Sequence, residues 1–126
     1  MKDEPIVRRL DTPVHLEYVA TVGRHYETFL RGLAEGRILG GRCPSSGLVF
    51  VPPRGASPLC GRPTDEIVEV GAQGVLTTFC VIRIPFAAQR LEPPYVFGAI
   101  LLDGANMPLH HLVSGCPVSE VRMGMR

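Results

Sequence analysis

Cys43-Pro44-Ser45-Ser46-Gly47 and Ser57-Pro58-Leu59-Cys60-Gly61 are two copies of one short turn, each with proline second and glycine fifth. Paired turns of this kind bring four soft ligands into the tetrahedral array of a zinc ribbon. A chain that carries them is committed to a small β hairpin pair at that point. Here the spacing is kept and half of the donors are not. Positions 43 and 60 are cysteine, whereas positions 46 and 57 are serine. A serine hydroxyl is a poor zinc ligand at neutral pH, and two thiolates alone do not make a structural site. Cys43 and Cys60 are thus the candidate metal residues of a degenerate site, with Ser46 and Ser57 in the other two ligand positions. Zinc is the one cofactor the pattern admits, and the expectation is a ribbon held by packing and turn hydrogen bonds without it. His15, His25, His110 or His111 would complete the set only if the fold brought one close. A Cys43–Cys60 disulfide is geometrically open but disfavoured in a reducing compartment.

The 126 residues suffice for one ordinary domain, or a small domain with an appendage, and 45% hydrophobic content supports a packed core. Net charge is +1 with no block of like charges, which argues against a binder that works on phosphate backbones by bulk electrostatics. The 14 glycines and 12 prolines suit short strands joined by turns. No apolar run reaches membrane-spanning length. The first residues, Met1-Lys2-Asp3-Glu4-Pro5, carry no apolar signal-peptide core, so the expected location is the cytoplasm, with reduced cysteines.

Residues 1 to about 16 show no periodicity and read as an arm. Tyr18, Val22, Tyr26, Phe29, Leu30 and Leu33 recur at three- and four-residue steps, which predicts a helix over about 17–35 with one apolar face. Glu27 and Arg31 are spaced for a helical ion pair, and Gly36 stands where a left-handed C-cap belongs. The stripe is aromatic-rich and precedes a ribbon too small to cover it, so part of it is expected to face a partner. Ile38-Leu39 and Leu48 to Val51 read as ribbon strands, ended by Pro52-Pro53-Arg54. Strands are then expected at 66–70, 75–84, 95–102 and 109–113, with a last one beginning in 119–126. Gly98 is a candidate kink or bulge, and Cys80 a buried, inert thiol. The fold class is therefore mainly β with an N-terminal helix, a rubredoxin-like ribbon and then a small OB-type barrel. The expected divisions are 1–36 for arm and amphipathic helix, 37–64 for the ribbon and 65–126 for the barrel.

The run Phe29-Leu30-Arg31-Gly32-Leu33-Ala34-Glu35-Gly36, followed by Gly41-Arg42-Cys43, Val51-Pro52-Pro53-Arg54 and Cys60-Gly61, resembles the zinc-ribbon/OB-fold family of acyl-CoA-associated proteins. Later segments agree in order: Gly71 to Gly74, Pro94 to Gly104, and Val121-Arg122-Met123-Gly124-Met125-Arg126. The resemblance implies a non-catalytic accessory subunit that sits beside a thiolase-like enzyme, a steroid side-chain aldolase or an enoyl-CoA hydratase and helps to bind or channel acyl-CoA. It implies a place in lipid or steroid metabolism. It also implies a further barrel strand beyond the point where this sequence ends.

No Ser-His-Asp spacing, phosphate loop or carboxylate pair marks a catalytic set. His110-His111 reads as a surface pair beside a turn. The loop from Pro85 to Pro94 is long enough to be functional, with Phe86, Leu91 and Tyr95 as apolar anchors and Arg83 and Arg90 as anion contacts. Arg42 and Arg54 flank the ribbon, and Tyr26 and Phe29 lead the helix stripe. Tyr26, Phe29, Arg42, Arg54, Arg83, Phe86, Arg90 and Tyr95 are the candidate contacts for acyl-CoA or a partner. The alternative, a single-stranded nucleic-acid-binding OB module, predicts exposed aromatics on the barrel face and salt-dependent binding. Near-zero charge and 6% aromatic content count against it. A small enzyme in its own right is the least supported reading.

Overall fold

The computed structural model describes residues 11–13, 15–86 and 89–126. The calls on residues 1–10 of the arm lie outside them. Helix α1 runs Arg24–Ala34 and is followed by strands β1 (Ile38–Arg42), β2 (Val49–Phe50), β3 (Glu66–Val70), β4 (Gly74–Ile82), β5 (Tyr95–Leu102) and β6 (Leu109–Val113). A 3-10 turn, Val118–Glu120, comes last.

The helix is shorter than its periodicity suggests. Gly23 is its N-cap in extended conformation, and Tyr18, Val19 and Val22 lie exposed outside it. Val19, Thr21 and Val22 are β-branched, Gly23 resists helix, and nothing packs on the stretch to offset that. At the other end Gly36 adopts φ +74, the Gly36 N–H donates to the Leu33 carbonyl (3.0 Å) and the Arg37 N–H to the Gly32 carbonyl (2.9 Å). That is the Schellman arrangement the glycine foreshadows. The Arg31 guanidinium donates to Glu27 at 2.7 and 2.9 Å, the expected helical pair. Gly32 lets the helix lie directly on β1, since a Cβ there would stand 2.7 Å from the Leu39 side chain.

Two antiparallel three-stranded sheets follow, ordered β2-β1-β3 and β4-β5-β6. Strand β3, which the sequence reading assigns to the barrel, extends the ribbon: all five residues pair with β1, from Ile38 opposite Val70 to Arg42 opposite Glu66. The two sheets do not close into a barrel. The expected strand over 119–126 is a 3-10 turn and a bend, because Pro117 precedes it and Gly124 takes φ +82. Its contact with β4 is a single bracket around Leu76, whose N–H donates to the Met125 carbonyl (2.9 Å) and whose carbonyl accepts from Gly124 (2.8 Å). The register irregularity of β4 falls between Leu76 and Thr78, where the Thr77 hydroxyl donates to the Ala99 carbonyl (2.8 Å). Gly98 is in regular register, and its missing side chain makes room for Leu76.

One core joins helix, ribbon and second sheet through Phe29, Val49, Val51, Val70 and Leu102, with Ile38, Ile100 and Leu109 packed against it. A second forms where Leu76 and Val96 meet Val121 of the C-terminal segment. The β5–β6 turn is tied to the edge strand β2. The Asn106 N–H donates to the Val49 carbonyl (2.9 Å), and the Val49 N–H to Asn106 Oδ1 (2.8 Å).

Candidate functional site

An apolar groove of about 540 Å3 runs beside α1. Tyr26, Phe29, Leu30 and Leu33 form one wall, Ile38, Val51 and Pro52 the floor, and Pro108 to His111 the other wall. The 3.6-residue period places these helix residues on one stripe, but only Phe29 sinks into the core. It is 5% exposed, against 45% for Tyr26, 42% for Leu30 and 46% for Leu33. The helix therefore spends one residue of its stripe on this chain and leaves three to the groove.

Arg54 stands in the groove lining and has no carboxylate partner among the described residues. The backbone beneath it is pinned, because the buried Thr64 hydroxyl donates to the Arg54 carbonyl. The helix is fixed to the ribbon by polar contacts at its N-terminus, where Asp65 Oδ1 lies 3.0 Å from His25 Nε2 and 3.4 Å from Arg24.

Of the eight contact residues expected from the sequence, the groove gathers Tyr26, Phe29 and Arg54. Arg42 is turned to an ion pair with Glu66 (3.3 Å) on the neighbouring strand. Arg83, Phe86 and Arg90 lie exposed in the β4–β5 loop, and Tyr95 opens β5, half-buried. None of these lines the groove. The loop is drawn together by Gln89, whose side-chain oxygen accepts the Phe86 N–H at 2.9 Å. Sequence reasoning missed the far wall, Pro108 to His111, which reaches the helix only through the fold. His110 also stacks on Phe97 (ring centroids 6.3 Å apart) on the outer face of the second sheet. Phe97 and Leu112 are exposed there, and Cys80 is exposed rather than buried, because no layer covers that face.

The ribbon turns have the same backbone design. The Cys43 N–H donates to the Leu48 carbonyl and the Gly47 N–H to the Cys43 carbonyl, both at 2.8 Å. The Ser57 N–H donates to the Arg62 carbonyl (2.8 Å) and the Gly61 N–H to the Ser57 carbonyl (2.9 Å). Gly47 and Gly61 take φ +71 and +69, which glycine adopts without strain. The two thiols face each other, Cys43 Sγ to Cys60 Sγ 3.6 Å. Ser46 and Ser57 accept N–H groups of their own turns, from Leu48 at 3.4 Å and Leu59 at 3.3 Å. The Cys43 thiol is pulled from 9.0 to about 6, first by the Ser46 hydroxyl, then by the Ser46 and Ser45 N–H groups and Cys60, against the opposing effect of burial. Among the described residues no histidine or carboxylate joins the two sulfurs to make a group of three or more metal-ligating side chains. Two thiols and two hydroxyls already engaged in their own turns do not fit a structural zinc ion. Among the described residues no helix is long and apolar enough to cross a membrane.

Comparison with known proteins gives consecutive family matches: residues 31–66 match the ChsH2 rubredoxin-like zinc ribbon domain, and residues 67–126 the ChsH2 C-terminal OB-fold domain. A DUF35 domain-containing scaffold protein of Pyrococcus furiosus is 28% identical over 89 residues, 71% of this chain and 64% of the relative. A protein of the same description from Methanocaldococcus jannaschii is 28% identical over 90 residues, 71% of this chain and 63% of the relative. The match thus spans less than two thirds of the length of these relatives. The solved structure of an Ltp2-ChsH2(DUF35) aldolase contains a chain that superposes with a TM-score of 0.70 at 21% identity, over 85% of this chain and 83% of that one. At that identity the likeness is one of fold.

Proposed function

This chain belongs to the ChsH2 family of rubredoxin-like zinc-ribbon and OB-fold proteins, and from that premise we propose that it is a non-catalytic accessory subunit of an aldolase-type enzyme complex. It docks on a thiolase-fold partner and helps to bind or channel acyl-CoA. One observation carries this reading: the half-exposed apolar stripe of Tyr26, Leu30 and Leu33, which opens into a groove with an unpaired arginine in its lining.

The chemistry suits a thioester with a long apolar arm and a phosphorylated head. The apolar walls accept the arm, and the Arg54 guanidinium is free to meet a phosphate oxygen. No general base, nucleophile or metal stands in the groove to act on the thioester; the bond-breaking groups then belong to the partner. The neighbouring histidines contribute shape and polarity at the rim. Segment 1–36 supplies the docking helix, 37–64 the ribbon beneath it, and 65–126 the opposite wall. The names of the scaffold relatives and of the aldolase structure support the scaffolding role.

The test is co-expression with thiolase-fold and aldolase candidates encoded beside it. Co-purification with one of them, together with a changed KM for acyl-CoA, is the expected result. A chain that stays monomeric with every such partner and leaves their kinetics unchanged overturns the reading. The nucleic-acid alternative draws on the exposed Phe97–His110 stack. It predicts salt-dependent oligonucleotide binding by the isolated chain, and the net charge of +1 weighs against it.

A further inference from the structure

We propose that Cys43 and Cys60 form a reversible disulfide by exchange with small-molecule disulfides, so that the ribbon carries a two-electron thiol site in the place where the zinc-ribbon pattern holds a metal.

The geometry is that of a pair rather than of two separate thiols. The sulfurs stand 3.6 Å apart, one on each turn, at opposite corners of the four ligand positions. The other two corners are serine hydroxyls that accept hydrogen bonds from their own turns. No third metal-ligating side chain joins the sulfurs among the described residues, so a metal does not compete for them. The two thiols also differ in access. Cys43 is fully buried and Cys60 is exposed. That asymmetry separates an attacking thiol from a resolving one. Closing the bond to about 2.05 Å asks for an approach of about 1.5 Å, which the exposed Cys60 side chain can make while the backbone turns keep their hydrogen bonds. Cys80 on β4 and Cys116 beyond β6 form no sulfur contact among the described residues.

The exchange balances in two steps. The Cys60 thiolate, its proton given to solvent, attacks one sulfur of a small disulfide. The small molecule's S–S bond breaks, a mixed disulfide forms on Cys60, and the departing thiolate takes up a proton. The Cys43 thiolate then attacks Cys60 Sγ, and the second small thiol leaves. Two electrons pass from the protein sulfurs to the small disulfide, which is released as two thiols. A dithiol reductant runs the sequence backwards. The proposal stands independently of any partner or acyl-CoA.

The test uses the full chain in glutathione buffers of graded oxidised-to-reduced ratio, quenched by alkylation under denaturing conditions and mapped by mass spectrometry. The expected result is an intramolecular Cys43–Cys60 peptide that grows with the ratio, loses two hydrogens of mass and disappears with dithiothreitol, while Cys80 and Cys116 do not enter it. Cys43→Ser is expected to accumulate glutathione on Cys60, and Cys60→Ser to leave Cys43 unmodified in the folded chain. Recovery of both thiols free in the most oxidising buffer overturns the proposal. So does trapping of wild-type Cys60 only as a mixed disulfide, or equimolar zinc retained by the chain as purified.

Discussion

Asn106 holds Val49 from both sides, accepting its N–H at 2.8 Å through Oδ1 and donating its own N–H to the Val49 carbonyl at 2.9 Å. Val49 belongs to a two-residue edge strand, and Asn106 to the turn between β5 and β6. The side chain thus continues the ladder where β2 has no further strand, and it fastens the ribbon to the second sheet. Asn106→Ala leaves the buried Val49 N–H without a partner and should cost about 1–3 kcal/mol. Asn106→Asp, which keeps the acceptor, should cost less. Urea unfolding curves of the three proteins check the order.

The groove stripe makes a separable prediction. Leu30→Asp and Leu33→Asp change half-exposed positions, so the thermal midpoint should move by the equivalent of less than about 1 kcal/mol. Loss of an apolar anchor at the centre of an interface costs about 2 kcal/mol or more. Affinity for the enzyme partner should therefore fall more than about 10-fold in titration calorimetry, with circular dichroism unchanged.

Arg54→Ala should weaken acyl-CoA binding by the assembled complex, since a charge-assisted hydrogen bond contributes about 1.5–3 kcal/mol. Arg54→Lys should recover part of it, keeping charge but losing the planar fork. A change in KM with subunit association intact is the signature to look for.

The Cys43 thiol is held at about 6 in the folded chain against 9.0 for the ordinary group. An acid with a depressed folded pKa adds stability above its unfolded pKa, and that stability is lost as pH falls through the folded one. Stability should therefore decline from pH 9 towards pH 6 and below. Cys43→Ser should flatten that part of the profile. Thiolate absorbance followed by pH gives the same midpoint directly.

Ser46→Cys together with Ser57→Cys should restore a four-thiolate tetrahedron on turns already shaped for it. The double variant should purify with one zinc per chain and melt at a higher temperature, and a chelator should reverse both. The unaltered protein should show no stoichiometric zinc by elemental analysis.

Much of the fold was legible because it is locally written. Strands β3, β5 and β6 have the residue limits their apolar runs and flanking turn residues suggest, and Gly36 caps α1 as its position implies. The errors sit where local pattern meets an absent neighbour. The stripe from Tyr18 to Val22 has helical spacing but no surface to pack on. Cys80 lies among apolar residues, which says nothing of the uncovered sheet face it occupies. The 119–126 segment has strand-like residues but only Leu76 as a ladder partner. The candidate site was half legible. Tyr26, Phe29 and Arg54 follow from the stripe and the ribbon flank, whereas Pro108 to His111 join them only through the contact of the second sheet with the helix. No sequence spacing encodes that meeting.

The two ribbon turns close over four residues each, through bonds between near neighbours and a glycine that favours the bend. Contacts of such short range form early, before distant strands find one another. Maturation of this chain is then uncoupled from metal supply: a cell starved of zinc would make it at the same rate as one replete, while a relative that depends on four thiolates would wait for its ion.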